Sequence, residues 1–298
     1  MEVFLTFDDG IHAGTAEVLT VLEKMKISAT FFLVGKEMDS MYKWDPKKFL
    51  DTLKKIAEGH SIGNHSYSHT DEKYKDYYEN DGVLSSSDGT RMSVEEDFDQ
   101  GSSSIQDYLQ LIYGDGYGKK IAGVGTKQEK LLARLPGRNT SYFSTGKNTV
   151  LNPPYIKCEP NTKKYSEQLF LKGYNVFGWN VEWNMSFDFH LNAAEQMAGK
   201  KTISPAEMYL KENRYKDRLL NDWSVVMDNI HRIVEKQQKV VLLMHDRAFR
   251  STDLKESQKD LSISNTGFDP LNAETELEML IGALIAQGAI FKTLDHFF

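Results

Sequence analysis

The stretch VFLTFDDG, Val3 to Gly10, sets an apolar run against two adjacent acids, Asp8 and Asp9, where a first strand should stop. Strands deplete Asp, and neighbouring carboxylates repel, so the doublet costs free energy unless a cation or a proton transfer uses it. Asp-Gly is also a common turn dipeptide, so the doublet alone reads equally as a turn. The segments that follow weigh on the choice. Val18, Leu19, Leu22 and Met25 recur at helical spacing, and ISATFFLVG (27–35) reads as a second buried strand. A helix through Phe49, Leu53 and Ile56, closed by Gly59, leads to HSIGNH (60–65). Strand, helix, strand, helix, strand predicts a parallel sheet with helices outside it.

Between about 74 and 130 the pattern loosens: NDGVLSSSDGT (80–90) is loop chemistry, while Ser93 and Glu96 form a capping box for a helix towards Tyr113. The alternation resumes with KLLARLP (130–136), a helix through Tyr165 and Leu169, and the strand YNVFGWNV (174–181). A second polar excursion covers about 184–221. A helix with Trp223, Val226, Ile230 and Ile233, the strand KVVLLMH (239–245), a helix through Leu277 to Leu284 and the strand AIFKTL (289–294) complete the pattern. The expected fold is α/β, a distorted (β/α) barrel of about seven strands, with residues 1–298 as one domain and the two excursions as elaborations. In such barrels chemistry sits where strands end in loops. Asp8, Asp9, His65, Arg134 and His245 all fall at such ends, which weakens the turn reading of the doublet.

A chain of 298 residues with 40% hydrophobic and 27% charged residues can bury a core. The formal net charge of -7, with Lys and Arg dispersed, argues against nucleic acid as a partner. The one cysteine, Cys158, excludes a disulfide framework and a thiolate metal site, and reads as a spare small residue. No run of 18 apolar residues encodes a membrane-spanning helix. The N-terminus has no basic segment followed by an apolar run. The expectation is a cytoplasmic protein, or an extracytoplasmic one whose secretion signal was removed and replaced by a start codon.

His65 and His69, four residues apart, would lie on one face of a helical turn within reach of one metal ion. A carboxylate from a neighbouring strand end would complete a two-His, one-Asp site with open positions, suited to zinc or another first-row divalent ion. The other carboxylate of the doublet then stays free as a base towards an acidified water. Non-haem iron oxygenases also use two His and one carboxylate, but that reading gives no role to the second Asp or to the late His245.

In order along the chain, FLTFDDG (4–10), GHSIGNHSYSH (59–69), RLPG (134–137) and LLMHD (242–246) resemble the motif series of the polysaccharide deacetylases. These are the metal-dependent carbohydrate esterases of family 4, which share the NodB homology domain. The resemblance implies that Asp8 is the general base and that Asp9, His65 and His69 hold one divalent ion, zinc first, with cobalt or nickel possible. It implies that Arg134 orients the catalytic aspartate, that the backbone N–H of Gly137 meets the oxyanion, and that His245 is the general acid. Leu243 would pack near the acetyl methyl and Trp179 would bind substrate. Two departures stand out. Gly137 replaces an aromatic residue, and GWNVEWN (178–184) replaces the usual D-x-x-D-W, offering Trp179, Glu182 and Trp183 but no clear Asp partner for His245. Asp222 is a possible substitute, although its neighbours read as helix. His60 is expected to orient or pack near the site, and His12, His190, His231 and His296 to be ordinary polar or partly buried residues. Trp44, Tyr67 and Trp183 could stack on sugar rings, with Trp183 favoured as core.

The expected function is removal of N-acetyl groups from an amino-sugar polymer or oligomer, such as peptidoglycan, a chitin-like glycan or a biofilm glycan. O-acetyl ester hydrolysis on an acetylated glycan, hydrolysis of a small amide, and glycan binding without turnover are the alternatives.

Overall fold

The computed structural model describes residues 1–12, 14–72, 74–85, 91–115, 131–143, 160–186, 218, 219, 221–235, 237–249 and 273–297. Cys158 and His190 lie outside the described residues, as does most of the second excursion.

In chain order the elements are β1 (Glu2–Asp8), α1 (Thr15–Met25), β2 (Thr30–Leu33), α2 (Gly35–Trp44), α3 (Pro46–Gly59) and β3 (Ser61–Asn64). Then come α4 (Tyr74–Glu79), β4 (Val83–Ser85), β5 (Arg91–Ser93), α5 (Val94–Tyr113), β6 (Leu131–Ala133), α6 (Pro160–Leu171) and β7 (Tyr174–Val176). The last are β8 (Val181–Glu182), β9 (Met185–Ser186), β10 (Arg218–Leu219), α7 (Trp223–Val234), β11 (Lys239–His245), α8 (Ala273–Ala286) and β12 (Ile290–Phe291).

The main sheet has the order β7-β6-β3-β2-β1-β11-β8, with β12 added beside β1, and every pairing in it is parallel. β7 and β8 stand at opposite edges, yet only residues 177–180 join them. Five Cα steps at 3.8 Å span at most about 19 Å, so the two edges must curl towards each other. The result is the distorted barrel expected from the sequence.

Residue alternation sorts the strands into two faces. Val3, Leu5 and Phe7 of β1, Phe31 and Leu33 of β2, and Val240, Leu242 and Met244 of β11 pack outward with the helices. Phe4, Phe32, Leu132 and Val241 pack inward with Phe143, Phe177 and Leu294. Being buried on both faces is why β1 and β11 read as nearly continuous apolar runs. Continuing the inward set two residues at a time from Phe4 gives Thr6 and Asp8, and from Val241 gives Leu243 and His245. In the β1–β11 register Asp8 lies directly opposite His245, so pleat and register together bring an acid and a histidine to one rim.

Three elements differ from the sequence reading. Helix α2 follows β2 directly, where the sequence suggested only a link to α3; its mean hydropathy is low and no side chain caps it. The loop-like NDGVLSSSDGT contains β4, which pairs antiparallel with β5 just beyond it. The expected strand over 174–181 breaks into β7 and β8. The capping box is present: Glu96 N donates to Ser93 Oγ and Ser93 N donates to Glu96 Oε2. No described helix is long and apolar enough to cross a membrane.

His60, expected near the site, sits at the opposite end of β3, where its Nδ1 accepts from Ala29 N at 3.1 Å and its ring meets Phe31 edge-on. Burial pulls its pKa down from 6.5 to about 4. Between those pH values the unfolded imidazole binds a proton that the folded one excludes, so stability falls as pH falls through the window, by up to about 3 kcal/mol. His60→Asn, which keeps an acceptor for Ala29 N but does not titrate, should flatten that part of the pH–stability curve. Urea unfolding of metal-stripped protein from pH 7 to pH 4 measures it. His12, whose pKa burial also lowers to about 4, keeps its share of the slope. An unchanged slope in the variant would show that His60 is not the source.

Candidate metal and catalytic centre

Arg134, the first residue after β6, is fully buried inside the barrel. Its guanidinium donates from Nη1 to Asp8 Oδ1 at 2.7 Å and to Thr6 Oγ1 at 2.8 Å. It also donates from Nε to Phe177 O at 3.0 Å and from Nη2 to Gly178 O at 3.1 Å. The ring of Phe32 lies 4.3 Å beneath it and that of Trp179 at 5.6 Å. Burial pulls the Arg134 pKa down while Asp8 opposes the shift. The cation stays charged, since guanidinium deprotonation lies far outside the working pH range.

His65 follows β3, and its Nδ1 lies 2.9 Å from Arg134 O. A carbonyl accepts and cannot donate, so Nδ1 carries the proton and Nε2 presents a lone pair. That Nε2 lies 3.5 Å from Asp9 Oδ1 and 3.6 Å from Asp8 Oδ2. His69 Nε2 lies 3.0 Å from Asp9 Oδ1. The two imidazoles meet with centroids 5.2 Å apart, though not through a helical turn as the four-residue spacing suggested. Residues 65–68 are irregular, a short 3-10 turn begins at His69, and Ser66, His69 and Thr70 take positive φ values of 65°, 51° and 56°.

Side chains from outside the loop hold this backbone. Asp97 of α5 accepts from Tyr67 N at 3.1 Å, Ser68 N at 2.8 Å and Ser68 Oγ at 2.8 Å, and Asn64 Oδ1 accepts from Ser66 N at 2.9 Å. Tyr67, considered as a sugar platform, gives its hydroxyl to Asp39 at 2.9 Å. Trp183 is core as expected, while Trp44 is 49% exposed.

Asp9 turns away from the strand with φ 71°. Its oxygens divide. Oδ1 faces the two imidazoles; Oδ2 lies 2.7 Å from Arg247 Nη2 and 3.8 Å from His245 Nε2. Burial pushes the Asp9 carboxyl up, but His69, Arg247 and His245 outweigh it and hold the group well below the usual carboxylate range. Asp9, His65 and His69 offer one ligand atom each, all within 4.8 Å of one another. Oδ1 is buried and makes no hydrogen bond of good geometry. One carboxylate oxygen and two imidazole nitrogens form a donor set that zinc and its neighbours accept, so these residues fit a divalent ion.

The other expected residues lie as follows. His245 ends β11 at the same rim, with its pKa lowered by burial against the opposing pull of Asp9 and Asp8. Leu243, two residues earlier, is buried opposite Thr6. Trp179 is half-buried, its backbone N and O both paired with Asn139 at 2.9 Å and its Nε1 donating to Glu182 Oε2 at 3.2 Å. Burial pushes the Glu182 carboxyl up. Gly137 is exposed in the turn three residues past Arg134, with φ 61°. Asp222 is exposed and caps α7, accepting from Ser224 N and Val225 N, and so is a helix cap rather than a partner of His245.

Two further residues belong here: Asp246, quoted only as the end of the LLMHD motif and given no role, and Arg247, which follows it. Arg247 pairs with Asp9, and Asp246 binds the loop between β1 and α1 by accepting from Thr15 Oγ1. Gly14 has no room for a Cβ, because one would overlap the backbone carbonyl of Asp246. His12, expected as an ordinary residue, is buried in the same loop.

Residues 1–115 match the family described as polysaccharide deacetylase. Among curated proteins, a peptidoglycan-N-acetylglucosamine deacetylase of Bacillus cereus is 46% identical over 70 residues, 23% of this chain and 22% of that protein. A chitin disaccharide deacetylase of Vibrio alginolyticus is 24% identical over 202 residues, 61% of this chain and 47% of that one. The matched stretch spans less than a quarter of the length of the first curated relatives. Among solved structures, a Streptococcus mutans CE4 esterase shares the fold at 20% identity with a TM-score of 0.50, covering 98% of this chain and 85% of that one.

Removing one partner of a buried ion pair costs about 3–5 kcal/mol, because the other charge is left unpaired. Arg134→Met should therefore destabilise the fold by about that amount in urea unfolding. Adding Asp8→Asn should recover part of the loss. A double variant no more stable than the single one would show that Arg134 acts through its carbonyl contacts, not through Asp8.

Proposed function

We propose that this chain, residues 1–115 of which match the polysaccharide deacetylase family, is a metal-dependent hydrolase that removes N-acetyl groups from an amino-sugar glycan. The observation that carries the reading is the convergence of Asp8, Asp9, His65, Arg134 and His245 at one rim of the barrel, with His69 against Asp9. The relatives named as peptidoglycan and chitin deacetylases support the substrate class.

A divalent ion held by Asp9, His65 and His69, zinc in this reading with cobalt or nickel as competitors, would supply Lewis acidity and a more acidic water. Asp8 takes the proton of the attacking water. Arg134 occupies its Oδ1, so Oδ2 is the atom left to accept. As the C–N bond breaks, His245 gives a proton to the departing amine, and the acetyl group leaves as acetate. The Gly137 N–H is assigned to the developing oxyanion, Leu243 to the acetyl methyl and Trp179 to the sugar.

Acetate release from peptidoglycan and chitin oligomers, with zinc, cobalt or nickel returned to stripped protein, tests the activity; none from any combination rejects it. Asp8→Asn should keep bound metal and lose turnover, because an amide is a poor proton acceptor. His245→Ala should slow N-acetyl hydrolysis about 10²–10⁴-fold and spare an activated nitrophenyl acetate, whose leaving group needs no acid. Equal losses on amide and activated ester would remove His245 from the acid's role.

A further inference from the structure

The divided carboxylate of Asp9 has a structural cause. Asp9 Oδ1 lies on the side of His69 and His65 Nε2, whereas Oδ2 receives the Arg247 guanidinium at 2.7 Å. A carboxylate can meet a cation through one oxygen or two. With a charge-assisted N–H on Oδ2, only Oδ1 remains on the ligand side.

The Arg247 backbone is fixed independently of that contact. It belongs to the 3-10 turn Asp246–Phe249 directly after β11, and the turn is locked to the loop carrying Asp9 by the Asp246–Thr15 bond and by the close approach of Gly14 to the Asp246 carbonyl. The guanidinium thus reaches Asp9 from a fixed turn at Oδ2, where His245 Nε2 also lies at 3.8 Å, while His65 and His69 face Oδ1.

We propose that Arg247 is a positioning residue of the metal centre, which pins Asp9 Oδ2 so that Asp9 serves as a one-oxygen ligand and the site prefers small, low-coordination ions such as zinc over manganese. The inference rests on the metal-centre reading above. Zinc is satisfied by four ligands, while manganese favours more oxygen donors, so releasing a second oxygen shifts the balance towards manganese.

Arg247 also carries a positive charge that opposes any dication, so a single affinity mixes charge with geometry. The ratio of manganese to zinc dissociation constants separates them, because both ions feel the same charge. Arg247→Met keeps the apolar stem and deletes the donors. Chelator competition should show zinc preference falling about tenfold or more, the scale on which contacts behind metal ligands act. The cobalt-loaded variant should lose visible absorption intensity as an oxygen ligand is added. Arg247→Lys, which restores a cationic donor, should recover both. Parallel changes in the two affinities with an unchanged cobalt spectrum would overturn the proposal. So would zinc-loaded wild-type crystals with both Asp9 oxygens on the metal, a test that needs no variant. If His65→Ala binds zinc as the wild type does, the metal-centre reading itself fails, and this inference with it.

Discussion

An arginine with no exposed surface sits inside this barrel, and the arrangement of the rim depends on how its charge is met. Its donors go to the end of β1, through Thr6 and Asp8, and to Phe177 and Gly178, in the short link that joins the two edges of the sheet. Its own carbonyl meets His65 Nδ1. One side chain therefore couples barrel closure, the position of a carboxylate and, through its backbone, the tautomer of an imidazole. Burying a guanidinium unpaired would cost several kcal/mol, so these contacts are required together, and none of the groups they fix can shift alone.

What the sequence made legible follows from this economy. Alternation along Phe4, Thr6 and Asp8 and along Val241, Leu243 and His245 places Asp8 and His245 inward, and parallel pairing places them level. Such features have period two and short range, so a single sequence exposes them. The HSYSH loop is a different case: its four-residue spacing was suggestive, but the rings converge through left-handed residues held by the neighbouring Asn64 and by Asp97, a remote partner that no local pattern reveals. Helix α2 was hidden because it starts straight from the strand without a capping side chain. The β4–β5 hairpin was hidden because its strands are three residues long and set in turn-forming sequence.

Arg247 marks the limit of pattern reading most clearly. It is one of 36 basic residues, and although it directly follows the LLMHD motif, no spacing directs it to Asp9. Its place next to Asp9 arises only because β11 pairs with β1 and because the turn beyond β11 is held against the loop beyond β1. Asp222, by contrast, was a substitute partner for His245 whose neighbours already read as helix, and it is a helix cap.

The two acids that open the chain thus come to differ by geometry rather than by chemistry. Asp8 is still in the strand, faces inward by the pleat, and has one oxygen taken by Arg134. Asp9 has left the strand in a left-handed conformation, which turns its carboxylate between two imidazoles on one side and Arg247 on the other. Each acid has a guanidinium of its own, so the mutual repulsion of adjacent carboxylates is offset twice. Each cation takes one oxygen of its acid and leaves the other facing an imidazole: Asp8 Oδ2 towards His65 and Asp9 Oδ1 towards His65 and His69. A doublet that would be costly in an isolated strand end is in this way held as two oriented single-oxygen groups converging on one pair of histidines.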